Sequence, residues 1–158
     1  MSKTFGLPGL RIGWLITKDE KLYQKFTIFK DYTTICSSAP SEILALIGLQ
    51  NRNTIVDKHL KRIKKNLGVL DEFFVENKDM FSWIRPKAGT IAFPKLKIAV
   101  DSFNFCESLV QDTGIMLVPS TAFGFDSKHF RFGFGRDNFA EGLGKLSSYV
   151  KKKFRAKL

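Results

Sequence analysis

Between Val56 and Phe74 the apolar residues Val56, Leu60, Ile63, Leu67, Leu70 and Phe74 recur in alternating steps of four and three. That period marks one face of an α-helix, so the middle of the chain is committed to a single long helix lying against a neighbour along one stripe. Coiled coil is the rival reading, but a stripe this short is more often core packing. After Asn77-Lys78-Asp79 the texture changes. Trp83 to Pro94 reads as a turn and a strand, Ser102 to Thr113 as an amphipathic helix, Ile115 to Val118 as a buried strand, and Phe130 to Phe134 as another strand. Asn138 to Phe154 closes the chain as a helix with Phe139, Leu143, Leu146 and Val150 on one side. Strands interleaved with flanking helices point to a sheet covered by helices, of α/β or α+β type.

The part before the long helix reads differently. Leu10 to Thr17 is a compact apolar strand candidate ending at Lys18-Asp19-Glu20, and a helix from about Asp19 to Lys30 follows. Ser37-Ser38-Ala39-Pro40-Ser41-Glu42 is a helix-start signal with hydroxyl caps, an early proline and an early acid, opening into Ile43, Leu44, Leu46 and Ile47. With 158 residues, 44% of them hydrophobic, the chain can bury a core. No internal repeat or low-complexity linker interrupts it.

Charge and cysteine usage exclude several classes. The 26 basic residues against 15 acidic give +11, and the tail Lys151-Lys152-Lys153-Phe154-Arg155-Ala156-Lys157 adds to the basic character. However, Lys58, Lys61, Arg62, Lys64 and Lys65 fall among apolar residues at helical spacing, as on a solvated helix face, and no groove-reading or RNA-platform motif is present. No nucleic acid is expected. No apolar run approaches a membrane span and no leader pattern precedes the first residues, so a cytoplasmic protein with no membrane partner is expected. Cys36 and Cys106 have no pairing or metal spacing, and His59 and His129 stand far apart; reduced structural thiols and no metal are expected.

Chemistry concentrates at two places. In the first, Lys3 is followed eight positions later by Arg11 across a Gly/Pro-rich turn, with glycines at 6, 9 and 13. A planar, permanently charged guanidinium suits a phosphate, glycines let backbone approach a ligand closely, and a cationic neighbour favours the neutral, nucleophilic form of a lysine. The spacing matches neither the dinucleotide fingerprint nor a P-loop. On spacing alone, an ordinary turn leading into a buried strand, with Lys3 exposed at a terminus, reads equally well. The second place is Phe130-Arg131-Phe132-Gly133-Phe134-Gly135-Arg136. In an extended strand the three phenylalanines share one face and Arg131, Gly133 and Gly135 the other, leaving room for a carboxylate at the guanidinium. The plain alternative is an edge-strand arginine paired to a surface acid.

The run Ser2-Lys3-Thr4-Phe5-Gly6-Leu7-Pro8-Gly9-Leu10-Arg11-Ile12-Gly13-Trp14 resembles the cofactor-lysine motif of fold-type I, pyridoxal-phosphate-dependent aminotransferases of class I/II. The resemblance implies that Lys3 forms the imine with pyridoxal 5'-phosphate, that Ser2 touches the phosphate, that Arg11 binds it, and that Arg131 holds the substrate α-carboxylate. Gly114 to Gly124 looks like the family's strand and following loop, with Ser120 where a glycine is common, and Pro86-Lys87-Ala88-Gly89-Thr90 resembles its substrate-facing turn. The implied fold is the C-terminal part of a pyridoxal-phosphate-dependent transferase. Residues 1-50 would end the large cofactor domain, 51-78 would form the interdomain helix, and 79-158 the small α/β domain. In the family the motif lies past the middle of the chain, which places the pyridinium-binding aspartate and the ring-stacking aromatic upstream. The implied activity is amino-group transfer between amino acids and 2-oxo acids, in a homodimer. A lyase, decarboxylase or synthase of the same fold, or an inactive fragment acting only in assembly, is the alternative.

Overall fold

The computed structural model describes residues 1–155; the last part of the basic tail, Ala156 to Leu158, lies outside the described residues. The chain divides into two compact units, and the division falls between Lys58 and His59.

The first unit is helical. A short 3-10 turn, Pro8–Leu10, is followed by α1 (Glu20–Thr33), α2 (Ala39–Gln50) and the start of α3 (Arg52–Glu76). Asp19 caps α1, its Oδ1 accepting from the backbone N–H of Lys21 at 2.9 Å and of Leu22 at 3.2 Å, which satisfies two donors that a helix leaves free. Ser38 stands at the N-cap of α2 with Pro40 in the first turn, but its hydroxyl makes no capping bond, contrary to the expected hydroxyl cap. The strand expected over Leu10 to Thr17 does not form. Strands exist by pairing, no second strand lies in this unit among the described residues, and Trp14, Leu15 and Ile16 are left 53%, 77% and 87% exposed.

The second unit begins inside α3. Its strands are β1 (Phe81–Ser82), β2 (Ile91–Ala92), β3 (Lys95–Leu96), β4 (Val118–Pro119) and β5 (Phe130–Gly133), with α4 (Ser102–Thr113) and α5 (Phe139–Val150) as helices. β1 pairs with β3, and a three-stranded sheet runs in the order β2-β5-β4, every pairing antiparallel. The result is mixed helix and sheet, as expected, with β5 in the middle of its sheet rather than at an edge. The strand expected over Ile115 to Val118 shrinks to Val118–Pro119, because only Val118 and Pro119 find partners on β5, while Met116 is exposed.

The core of this unit is built from phenylalanine. Phe105, Phe130 and Phe134 are fully buried with Leu70, Leu109, Leu146 and Val150, and Phe74 stacks on Trp83 at 4.6 Å. Each such side chain contributes about 1.5–3 kcal/mol on burial, enough to hold a small sheet whose strands are mostly two residues long. The helical stripe enters this core through Leu67, Leu70 and Phe74, whereas Leu60 stays 44% exposed. Lys58, Lys61, Lys64 and Lys65 are exposed as expected. Arg62 is not simply solvated: its guanidinium holds both Asp137 carboxylate oxygens, at 2.9 and 3.1 Å.

Candidate functional site

In the first unit the residues around Lys3 are folded into a closed loop. The Met1 ammonium donates to the Ile12 carbonyl at 3.2 Å, the Leu7 N–H to the Met1 carbonyl at 3.3 Å, and the Gly6 N–H to the Lys3 carbonyl at 3.1 Å. Ser2 and Arg11 are the residues just inside the Met1–Ile12 bond. The loop rests on α2, where a Cβ added at Gly48 would stand 2.9 Å from Met1 Cε and 3.4 Å from Leu7 Cδ1. Gly6 takes φ +65°, the left-handed region that glycine enters without steric cost. Arg11 is also left-handed at φ 52°, as the C-cap of the 3-10 turn, with its N–H and one guanidinium nitrogen both donating to the Pro8 carbonyl.

The donor set suits a phosphorylated aldehyde. Lys3 is exposed and, among the described residues, its amine has no hydrogen-bond or ion-pair partner; Arg11 forms no ion pair, so most of its fork is uncommitted. Gly9 and Gly13 border open space, since a Cβ at either would meet nothing within 4 Å. The turn Gly6-Leu7-Pro8-Gly9 of the plain alternative is present and Lys3 is exposed, as that alternative expects, while the strand that both readings place over Leu10 to Thr17 is absent.

Arg131 belongs to the second unit. It lies on the exposed face of β5 with Gly133, while Phe130, Phe132 and Phe134 point into the core, the alternation read from the sequence. Arg131 pairs in register with Val118 of β4, and on the other side the β2–β5 register continues through the Phe130 N–H to Pro94 carbonyl bond, which puts Phe93 opposite Arg131. Its guanidinium lies over the Phe123 ring, 5.8 Å from the centroid, and it has no acidic partner among the described residues, unlike the surface-paired arginine of the alternative. Gly89, at φ +82°, turns the segment that brings Thr90 against Gly135, where a Cβ would stand 3.0 Å from Thr90 Cβ.

Several supports of this face carry no sequence signal of their own. Asn66 of α3 is buried and donates to the carbonyls of Phe134 and Arg136, both at 2.8 Å, tying down the end of β5. Ser120 is fully buried, bonded to Ser102 Oγ at 3.1 Å and to the Asp126 carbonyl, so the departure from glycine there fixes the loop rather than loosening it. Asp126 accepts from the His129 ring at 2.7 Å and from the Lys128 and His129 N–H groups at 3.0 Å. Burial pushes the Asp126 carboxyl up, but the hydrogen bonds from the His129 ring and these N–H groups outweigh it and hold the group down at about 2. Cys106 is buried, its thiol pushed up to about 12 by that burial, which makes it inert. Cys36 is exposed and so is not the structural thiol expected. Among the described residues no helix is long and apolar enough to cross a membrane, and no cluster of metal-binding side chains occurs.

Residues 1–141 match the family described as aminotransferase class I and II. The chain belongs to this family. It is 28% identical over 149 residues to capreomycidine synthase of Streptomyces vinaceus, covering 93% of this chain and 38% of that protein. Among solved structures it is similar to a PLP-dependent aminotransferase from Streptococcus suis, with a TM-score of 0.86 at 31% identity over 96% of this chain and 40% of the other. It is also similar to a PLP-dependent cyclase, OrfR, with a TM-score of 0.85 at 29% identity over 96% of this chain and 42% of the other. The chain thus spans about two-fifths of the length of these class I and II relatives. The cofactor these likenesses indicate is pyridoxal phosphate.

Proposed function

We propose that this class I/II chain contributes the cofactor lysine, a phosphate-binding arginine and the substrate-carboxylate arginine to a pyridoxal-phosphate-dependent aminotransferase working as a cytoplasmic homodimer. The observation that carries the reading is the closed N-terminal loop, in which, among the described residues, the Lys3 amine has no partner and the Arg11 guanidinium is engaged only with the Pro8 carbonyl. Arg11, with the Ser2 hydroxyl, would bind the phosphate, and the open backbone at Gly9 and Gly13 leaves room beside it. When bound, pyridoxal phosphate supplies an aldehyde and an electron sink. Lys3 Nζ is the group that would attach the cofactor and then accept the proton released at the substrate α-carbon. Arg131 would hold the α-carboxylate of an amino acid or 2-oxo acid through two parallel hydrogen bonds. Residues 1-50, 51-78 and 79-158 would serve as the end of the large domain, the interdomain helix and the small domain. The likeness to a PLP-dependent cyclase supports a second reading, a lyase, decarboxylase or synthase that uses the same residues without net transamination. An inactive chain acting only in assembly is the third.

The test is to incubate the 158-residue chain with pyridoxal phosphate, reduce with borohydride and map the peptides. An α-amine is ordinarily the more available nucleophile near neutrality, but the Met1 ammonium is engaged with the Ile12 carbonyl. Most of the reduced adduct is expected on Lys3, with Arg11→Ala shifting it toward Met1. An adduct mainly on Met1 in the unaltered chain overturns the role of Lys3 and leaves the assembly reading.

A further inference from the structure

Around Arg131 the outer face of the three-stranded sheet is aromatic where a solvent-facing surface would be polar. Phe93, Phe123 and Phe125 are 40%, 52% and 58% exposed. They form one contiguous group: Phe93 lies 6.2 Å from Phe123 and 5.7 Å from Phe125, and the His129 ring stacks on Phe93 at 5.2 Å with 14° between planes. Two independent anchors fix the group. Ser120, fully buried, ties the turn that carries Phe123 to Ser102, and Asp126 holds the His129 ring at 2.7 Å. Exposed phenyl rings kept together in fixed positions beside a guanidinium with no acidic partner among the described residues are a recognition surface, because scattered exposed apolar side chains need no such support.

We infer that this face selects the side chain of the acid held by Arg131, and that the class it takes is a carboxylic acid bearing an aromatic ring two or three bonds from the carboxylate carbon. The inference rests on the assignment of Arg131 as carboxylate anchor and goes beyond it in naming the substrate class. The geometry is one-sided. Gly133 leaves open space above β5, with the half-exposed Ile91 opposite it, whereas toward Phe93 and Phe123 a ligand meets ring faces and edges beside the guanidinium. An apolar ligand body therefore gains its contacts on the aromatic side, where edge-to-face packing adds to area burial. On the same face the exposed Lys95 stands opposite His129, so a dicarboxylate tests whether an ionic contact there outweighs ring packing.

The experiment is a calorimetric or NMR titration of the full 158-residue chain, without cofactor, with 3-phenylpropionate, propionate and succinate. 3-Phenylpropionate is expected to bind most tightly, and Phe93→Ala to reduce its advantage over propionate about tenfold. Phe93→Tyr should retain that advantage. Phe125→Ala repeats the test at the other ring packed against Phe93, and circular dichroism of each variant checks that the fold persists. Equal binding of 3-phenylpropionate and propionate, tightest binding of succinate, or an advantage untouched in both alanine variants overturns the inference. Arg131→Gln separates the two layers. If it removes binding of all three acids while the phenyl advantage was absent, only the aromatic selection fails; if binding persists, or none is measurable at the outset, the carboxylate anchor fails with it.

Discussion

Asp126 links local chemistry to pH. Its folded carboxyl is held at about 2, below the ordinary carboxylate value, by the His129 ring and two backbone N–H groups acting against burial. A depressed acid contributes stability that is fully present above its unfolded pKa of about 3.9 and is lost as pH falls through its folded value. The chain should therefore lose stability between about pH 4 and pH 2, and Asp126→Asn should flatten that part of the profile, as read from denaturant midpoints of both proteins at several acidic pH values. A profile equally steep in the variant would assign the acid sensitivity elsewhere. Residue chemistry at this site was legible only in part. Lys3 and Arg11 in the first unit and Arg131 in the second are candidates that resemblance to a family motif singles out, whereas Asp126, Ser120 and Asn66 act through partners that fold into reach, and no local pattern marks such a partner.

At the scale of elements, α4 runs from Ser102 to Thr113 as its amphipathic pattern required, and α5 buries the expected Phe139, Leu143, Leu146 and Val150. Helices were legible because their hydrogen bonds are internal and their apolar period is local. The end of α1 is less regular. It closes with Thr34 donating to the Lys30 carbonyl at 2.8 Å and Ile35 donating to the same carbonyl at 3.0 Å, and Ile35 takes φ 54°. Glycine ordinarily fills that left-handed position, where a β-branched side chain is strained by about 1–2 kcal/mol. Ile35→Gly is expected to raise stability by about 1 kcal/mol in urea unfolding, the relief of strain being offset in part by glycine's greater chain entropy. The 75% exposure of Ile35 means that little packing is lost. No gain in the urea midpoint would show that strain at this turn is already relaxed.

For the whole molecule, the decisive observation is apolar surface left without cover. α1 buries none of its residues, and Ile28, Phe29 and Tyr32 are 70%, 66% and 87% exposed, as are the unpaired Leu15 and Ile16. Surfaces of this kind associate, so the 158-residue chain on its own should show a mass that rises with concentration in light scattering, and it should bind an apolar dye. A constant 18.0 kDa across the range would contradict this. The sequence by itself determined the helices, the core-facing stripe of α3 from Leu67 onward, the alternation of β5 and membership of the class I/II family, since each is written in near-neighbour spacing or in a contiguous run of residues. The tertiary structure alone decided that Leu10 to Thr17 is not a strand, that β5 sits inside its sheet and that Phe93 stands opposite Arg131. The physical reason is that a strand, a register and a site face are properties of pairing between distant segments, and a sequence states which residues can pair without stating which partner is within reach.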